Sequence, residues 1–200
     1  MKNRALLLRI AAVGVAGAGA FGWMTIRRGF SARDSPSAME ALVARTARRL
    51  SVPASERDAK NPFAPTAEVL AEGRTHFADH CATCHGNDGS GKTEIGRNLY
   101  PKPPDMRQPQ TQNLTDGQMY YVIHNGVRLT GMPAWGDPGR DDDSWKLVLF
   151  IRHLPQMNPD EIKEMEQFNP KSAMDLLEEK DEQLFLNEGK TPEMNGKKHH

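Results

Sequence analysis

Residues 81–86 read Cys-Ala-Thr-Cys-His-Gly, and Cys81 and Cys84 are the only cysteines among 200 residues. Two thiols three apart, with histidine next, form the C-x-x-C-H signature of c-type haem attachment. On one helical turn each sulfur can reach one vinyl group of the same porphyrin, and His85 then comes beneath the iron. Two thioethers account for both cysteines, with no thiol left over. A structural zinc site would want a second Cys or His pair at proper spacing, for which His76 and His80 are the nearby residues. A thioredoxin-like redox pair would want a βαβ setting, and the chain shows no alternating strand pattern.

Iron in such a site takes a sixth ligand or stays open to a small molecule. Downstream candidates are Met106, Met119, Met132 and His124. Met119 falls inside an expected helix, and Met106 lies in the "PPDM" turn. Met132 stands in "TGMPAWG", where Pro133 drives the preceding residue into extended backbone and Gly131 relieves crowding against a porphyrin plane. Met132 is therefore the expected ligand. His/Met ligation raises the reduction potential and fills the coordination sphere, which favours electron transfer over gas binding or peroxide chemistry.

The segment around this motif, 66–155, is where a globular domain is expected. Thr66 caps a helix over roughly 67–80, with Gly73 inside it. Thr115 and Gln118 form a capping box for a second helix, which Asn125-Gly126 ends in a left-handed cap. Asp141, Asp142 and Asp143 open a third. Leu147, Phe150, Ile151 and Leu154 make its apolar stripe, and Pro155 stops it. Three short helices joined by Gly- and Pro-rich loops give a thin core, and a buried cofactor would supply the missing apolar bulk.

Three further segments flank this one. Residues 1–30 contain 17 uncharged residues from Ile10 to Ile26, bounded by Arg9 and Arg27. As a helix that stretch spans roughly 25 Å. Leu6 to Leu8 extend it to membrane length if Arg9 snorkels, and Trp23 suits the interface. An uncleaved anchor is the expectation, and a signal peptide cleaved after Ala18-Gly19-Ala20 is the rival. Basic residues on both flanks leave the orientation open. Residues 31–65 form a spacer. Ser37 and Glu40 fit a capping box, and Met39, Leu42, Val43, Thr46 and Leu50 share one helical face, with Arg45, Arg48 and Arg49 largely off it. A solvated linker helix is the simpler reading, and a helix on acidic headgroups the alternative. "SVPASERDAKNPFAPT" suits a semi-extended connection. Residues 156–200 are an acidic tail, read as weakly ordered helices that fold back on the domain or dock a partner. His199 and His200 are read as a disordered end rather than a metal site.

Charge supports this division. Basic residues outnumber acidic ones 11 to 4 over 1–60, and acidic ones lead 11 to 6 over 155–200. The formal net charge is zero, which gives no support to nucleic-acid binding.

Residues 66–155 resemble the mono-haem class I c-type cytochromes of bacteria. "EGRTHFADHCATCHGNDGSG" is similar to that family's first helix and haem turn, with Gly73 and Phe77 at matching offsets before Cys81. "LYPKPPDM", "MYYVIHNGVRLTGMPAWG" and "DDDSWKLVLFIRHLP" resemble its middle loop, distal strap and last helix. The resemblance implies an all-α fold of three to four short helices around one covalent haem c. Gly73 then lets the first helix cross the last near Leu147 and Phe150. A carbonyl of Pro101 or Pro103 is implied to accept from the His85 ring, Trp135 to belong to the haem pocket, and His124 to have no ligand role. The layout of anchor, spacer and tail resembles membrane-anchored members. That implies a single pass through the bacterial cytoplasmic membrane with the haem domain in the periplasm, or a soluble periplasmic protein if the leader is cleaved. The implied role is electron transfer between an upstream reductase or dehydrogenase and a downstream oxidase. The alternatives are a dedicated cytochrome subunit of one such complex, or a sensory or catalytic haem with an open iron.

Overall fold

The computed structural model describes residues 2–136, 139, 141–171 and 173–188. The predicted terminal pair His199 and His200 lies outside them. Among the described residues every regular element is helical.

The first element, α1 (Lys2–Arg28), is one continuous helix. The apolar side chains described in it, Leu6, Ile10, Val13, Phe21 and Trp23 among them, are exposed. By length and composition it is the one candidate membrane span among the described residues. Near its end the Arg27 guanidinium lies 5.7 Å from the Trp23 ring centroid.

Beyond a bend, α2 (Ala38–Ser51) begins at Ser37, whose hydroxyl accepts from the Glu40 amide at 3.2 Å. Only this half of the expected capping box forms, because the Glu40 carboxylate accepts from the Tyr100 hydroxyl instead. The remaining spacer is not a free extended connection. Val52 is buried, and α3 (Ala54–Arg57) packs on the start of α8 (Asp116–Asn125). There the Arg57 carbonyl accepts from the Thr115 hydroxyl at 2.6 Å. Farther on, Asn61 donates to the Trp145 carbonyl at 2.9 Å.

The domain frame is the crossing of α4 (Ala67–His76) with α9 (Asp141–His153). Thr66 caps α4 by accepting from the Val69 amide. A Cβ added at Gly73 would lie 2.6 Å from the Lys146 carbonyl oxygen and 3.0 Å from Phe150 Cβ. The missing side chain sets the approach of the two helices, as the resemblance implies. Phe77 and Phe150 then pack tilted, with centroids 5.2 Å apart and both rings fully buried. Leu147, Val148 and Ile151 fill the rest of the α9 stripe, and Leu154, just past the helix, is buried with them.

The first helix does not run unbroken to residue 80 as predicted. It passes at Phe77 into a π-helical turn, Phe77–Cys81. Such turns accommodate one extra residue and recur at functional sites. The chain continues through α5 (Ala82–His85), α6 (Glu94–Arg97), α7 (Pro109–Gln112) and α8. The predicted capping box of α8 is complete. Its end differs from prediction: Gly126 has φ +67° and ψ −170°, not the left-handed α cap. That extended departure turns the chain directly into the following strap. Arg152 ties α9 to the start of α8, donating to Asp116 at 2.8 Å and to the Leu114 carbonyl at 2.5 Å.

The first part of the acidic tail folds back. Helix α10 (Pro159–Glu164) carries a complete capping box from Asn158 and Glu161. Glu164 pairs with Arg74 at 2.9 Å, and Met165 is fully buried in the domain core. The last helix, α11 (Ala173–Glu188), leaves Leu176, Leu177, Leu184, Phe185 and Leu186 exposed.

Helix propensity alone predicts that Gly73→Ala stabilises α4 by about 1 kcal/mol. The crossing predicts the opposite, since overpacking costs about 1–3 kcal/mol. Thermal denaturation of the haem-loaded protein should therefore show a Tm several degrees lower for Gly73→Ala. A Tm at or above wild type would contradict the crossing.

Candidate functional site

The π turn delivers Cys81, and α5 then holds Cys84 and His85 within one further turn. Gly86, with φ +75°, turns the chain sharply after His85, in backbone that L side chains rarely adopt. The Gly91 amide donates back to the His85 carbonyl at 2.7 Å.

Both sulfurs are free, with no disulfide between them. Burial, followed by the neighbouring Cys84, pushes the Cys81 thiol up to about 12, and burial also raises Cys84. Redox and nucleophilic cysteines need the opposite shift, toward thiolate. This pair is not set for disulfide exchange. Burial holds His85 down to about 4, so its imidazole is neutral at physiological pH. Its Nδ1 is sealed from solvent without a hydrogen-bond partner. A buried polar atom without a partner carries a substantial desolvation penalty. A neutral histidine beside two unpaired, unactivated thiols is the donor set that an attached haem requires, and these residues fit the group.

The hydrogen bond implied for the His85 ring is not formed. The sealed His85 Nδ1 donates to neither the Pro101 nor the Pro103 carbonyl. The Pro103 carbonyl instead lies against Gly91, where an added Cβ would be 2.6 Å from its oxygen. Pro101 is exposed. Trp135 is half-buried against the core, and its ring meets the edge of His80 at 5.3 Å.

The candidate sixth ligands separate by burial. Met106 and Met119 belong to the apolar core, 8% and 3% exposed. His124 stacks on Tyr120 at 5.1 Å and faces Asp141, 3.7 Å away. Met132 lies outside that core in the strap, half-buried. The strap is pinned at its base. The Val127 amide donates to the Met132 carbonyl at 3.0 Å, and Trp135 and Gly136 donate to the last carbonyls of α8. Thr130 braces the turn, donating to Val127 and accepting from the Met132 amide.

Sequence reasoning missed the segment that links the strap to the attachment turn. The Thr93 hydroxyl donates to the Cys84 carbonyl at 3.2 Å and caps α6 by accepting from the Gly96 amide. A side chain at Gly96 would collide with that same Cys84 carbonyl. Two residues past α6, Leu99 reaches the strap, where a Cβ on Gly131 would be 2.8 Å from Leu99 Cδ2. The capping signal at Thr93, followed three residues later by glycine, was present in the sequence. The contacts across to Cys84 and Gly131 were not. His76 and His80, weighed for zinc, stack at 4.6 Å. Among the described residues no three metal-ligating side chains converge.

Residues 68–151 match the family described as "Cytochrome C oxidase, cbb3-type, subunit III". Among curated proteins, the Cbb3-type cytochrome c oxidase subunit CcoP of Cereibacter sphaeroides is 57% identical over 96 residues, covering 44% of this chain and 28% of that protein. The subunit FixP of Azorhizobium caulinodans is 33% identical over 92 residues, covering 42% of this chain and 26% of that protein. The matched stretch thus spans little more than a quarter of either curated relative. Among solved structures, a chain of the Kuenenia stuttgartiensis reducing HAO-like protein complex is similar with a TM-score of 0.43 and 22% identity, over 46% of each chain. The family match coincides with the helical frame that carries the attachment turn, and residues 68–151 are a cytochrome c domain in a helical chain with one candidate N-terminal membrane span.

Proposed function

We propose that this chain is a membrane-held electron-transfer cytochrome with one haem c. In this reading Cys81 and Cys84 would hold the haem by thioethers, His85 and Met132 would ligate its iron, and the chain has no catalytic site of its own. The observation that carries it is the sealed, neutral His85 next to two unpaired thiols at attachment spacing.

A bound haem supplies one-electron chemistry at its iron. The protein's part is to present ligands and exclude water. His85 is neutral and so offers a nitrogen lone pair without first losing a proton. Met132 offers a soft thioether from a strap braced by Thr130 and Val127. Phe77, Phe150, Leu147 and Leu154 keep solvent from the frame behind the attachment turn. With His85 and Met132 both ligating the iron, small molecules would be kept out and electron transfer would be the chemistry left to the group.

Two settings remain, a carrier that moves between partners and a fixed subunit of an oxidase. The relatives' names favour the second. The proposed partners are thus the other subunits of a cbb3-type oxidase and the donor that reduces this chain. Haem attachment of this type takes place outside the bacterial cytoplasmic membrane. That puts residues 66–155 in the periplasm, the N-terminus inside and α1 across the bilayer.

Ligand assignment is tested with volume-conserving variants, which spare the core. Met132→Leu should abolish the weak thioether-to-ferric-iron absorption band, lower the reduction potential and let carbon monoxide bind the ferrous form. Met106→Leu and Met119→Leu should change none of these. Ready carbon monoxide binding by the wild-type protein at neutral pH would replace electron transfer with a sensory or catalytic reading.

The anchor is tested on native membranes. The chain should stay in the pellet after carbonate extraction, with its N-terminus upstream of Leu6. A mature N-terminus at Phe21 and release into the supernatant would establish a cleaved leader.

A further inference from the structure

We infer that α2 is an interfacial helix that lies on anionic lipid headgroups beside the membrane span. The inference rests on α1 as that span and adds a second, separate contact with the bilayer.

Met39, Leu42, Val43 and Leu50 recur at helical spacing and form one stripe, each at least 59% exposed. No residue of α2 is buried. The side turned toward the domain is the other one. Glu40 bonds Tyr100 there, and Ala41 and Arg48 are half-buried. A helix of a soluble protein buries its apolar stripe and exposes its polar face; α2 does the reverse. At 3.6 residues per turn, Arg45 and Arg49 border the stripe on the Leu42 side. Their stems can lie along apolar surface while the guanidinium groups sit at headgroup level.

Two observations select lipid as the occupant. The first is charge. Residues 27–49 hold six arginines against two carboxylates, Asp34 and Glu40, and Glu40 is already bonded to Tyr100. The second is reach. Nine residues separate Arg28 at the end of α1 from Ala38 at the start of α2. Fully extended they cover at most about 30 Å, and the Asp34-to-Ser31 backbone bond shortens that. The helix therefore starts close to the headgroups that receive Arg27 and Arg28.

This contact would also orient the cytochrome domain. Lys102 donates to the Arg33 and Asp34 carbonyls at 3.2 and 3.1 Å, and Tyr100 donates to Glu40. Both lie just after Leu99, which packs on the strap at Gly131. A helix fixed on the surface thereby fixes the loop that adjoins Met132.

The test is hydrogen exchange of the full haem-loaded chain in nanodiscs of phosphatidylcholine alone and of phosphatidylcholine mixed with phosphatidylglycerol. Amides of 38–51 should exchange roughly tenfold more slowly in the anionic discs, and high salt should reverse this. The double variant Leu42→Glu/Val43→Glu should lose that protection, while amides of α9 stay as in wild type. Equal exchange in both lipids, or full protection in the double variant, would overturn the inference. Protection that appears only when a second protein copurifies would assign the stripe to a protein partner and overturn it as well. Retention of the chain in the discs after a carbonate wash is read separately: loss of the whole chain contradicts the span, and this inference with it.

Discussion

The close crossing of α4 and α9 at Gly73 is the contact on which the rest of the domain depends. It brings the Lys146 carbonyl within 2.6 Å of where a side chain would begin. One turn later Phe77, the first residue of the π turn, packs against Phe150 of α9. Burying rings of this size contributes about 1.5–3 kcal/mol each, and a tilted aromatic pair about 0.5–1.5 kcal/mol more. The π turn starts at Phe77, so the residue that anchors the crossing also sets the register in which Cys81, Cys84 and His85 emerge. Frame and attachment turn are thus one mechanical unit.

Much of this was legible in the residues, and the reasons are local. Thr66, Thr115 with Gln118, and the apolar stripe of α9 each signal structure within one turn of helix, and each appears as read. The errors share a different cause. Glu40 matched the pattern of a capping box, yet its carboxylate meets Tyr100, 60 residues away. The "NPFAPT" spacer has the composition of a free linker, yet Asn61 bonds the backbone of Trp145, 84 residues on. The π turn changes the register without a change in composition. Composition and spacing report on neighbours in sequence, and these contacts are between strangers in sequence. At the site, C-x-x-C-H marked Cys81, Cys84 and His85 as candidates, and the π turn and α5 hold them together. The bracing of Cys84 by Thr93 and of the strap by Thr130 had to be read from the fold.

The flanking segments divide into those that belong to the domain and those turned away from it. Val52, Asn61 and Met165 are built into the cytochrome frame from both sides. The stripe of α2 and Leu176, Leu177, Leu184, Phe185 and Leu186 of α11 face outward. Under the proposed function, the outward apolar elements on either side of the domain are the surfaces that a membrane and fixed neighbours would cover.

Attachment of the haem is the point on which the functional account stands, and intact mass combined with thiol alkylation measures it directly. Protein isolated from membranes of a host that matures c-type cytochromes should weigh one haem more than the chain, and after denaturation neither Cys81 nor Cys84 should react with an alkylating reagent. A bare-chain mass with two alkylated thiols would contradict the account.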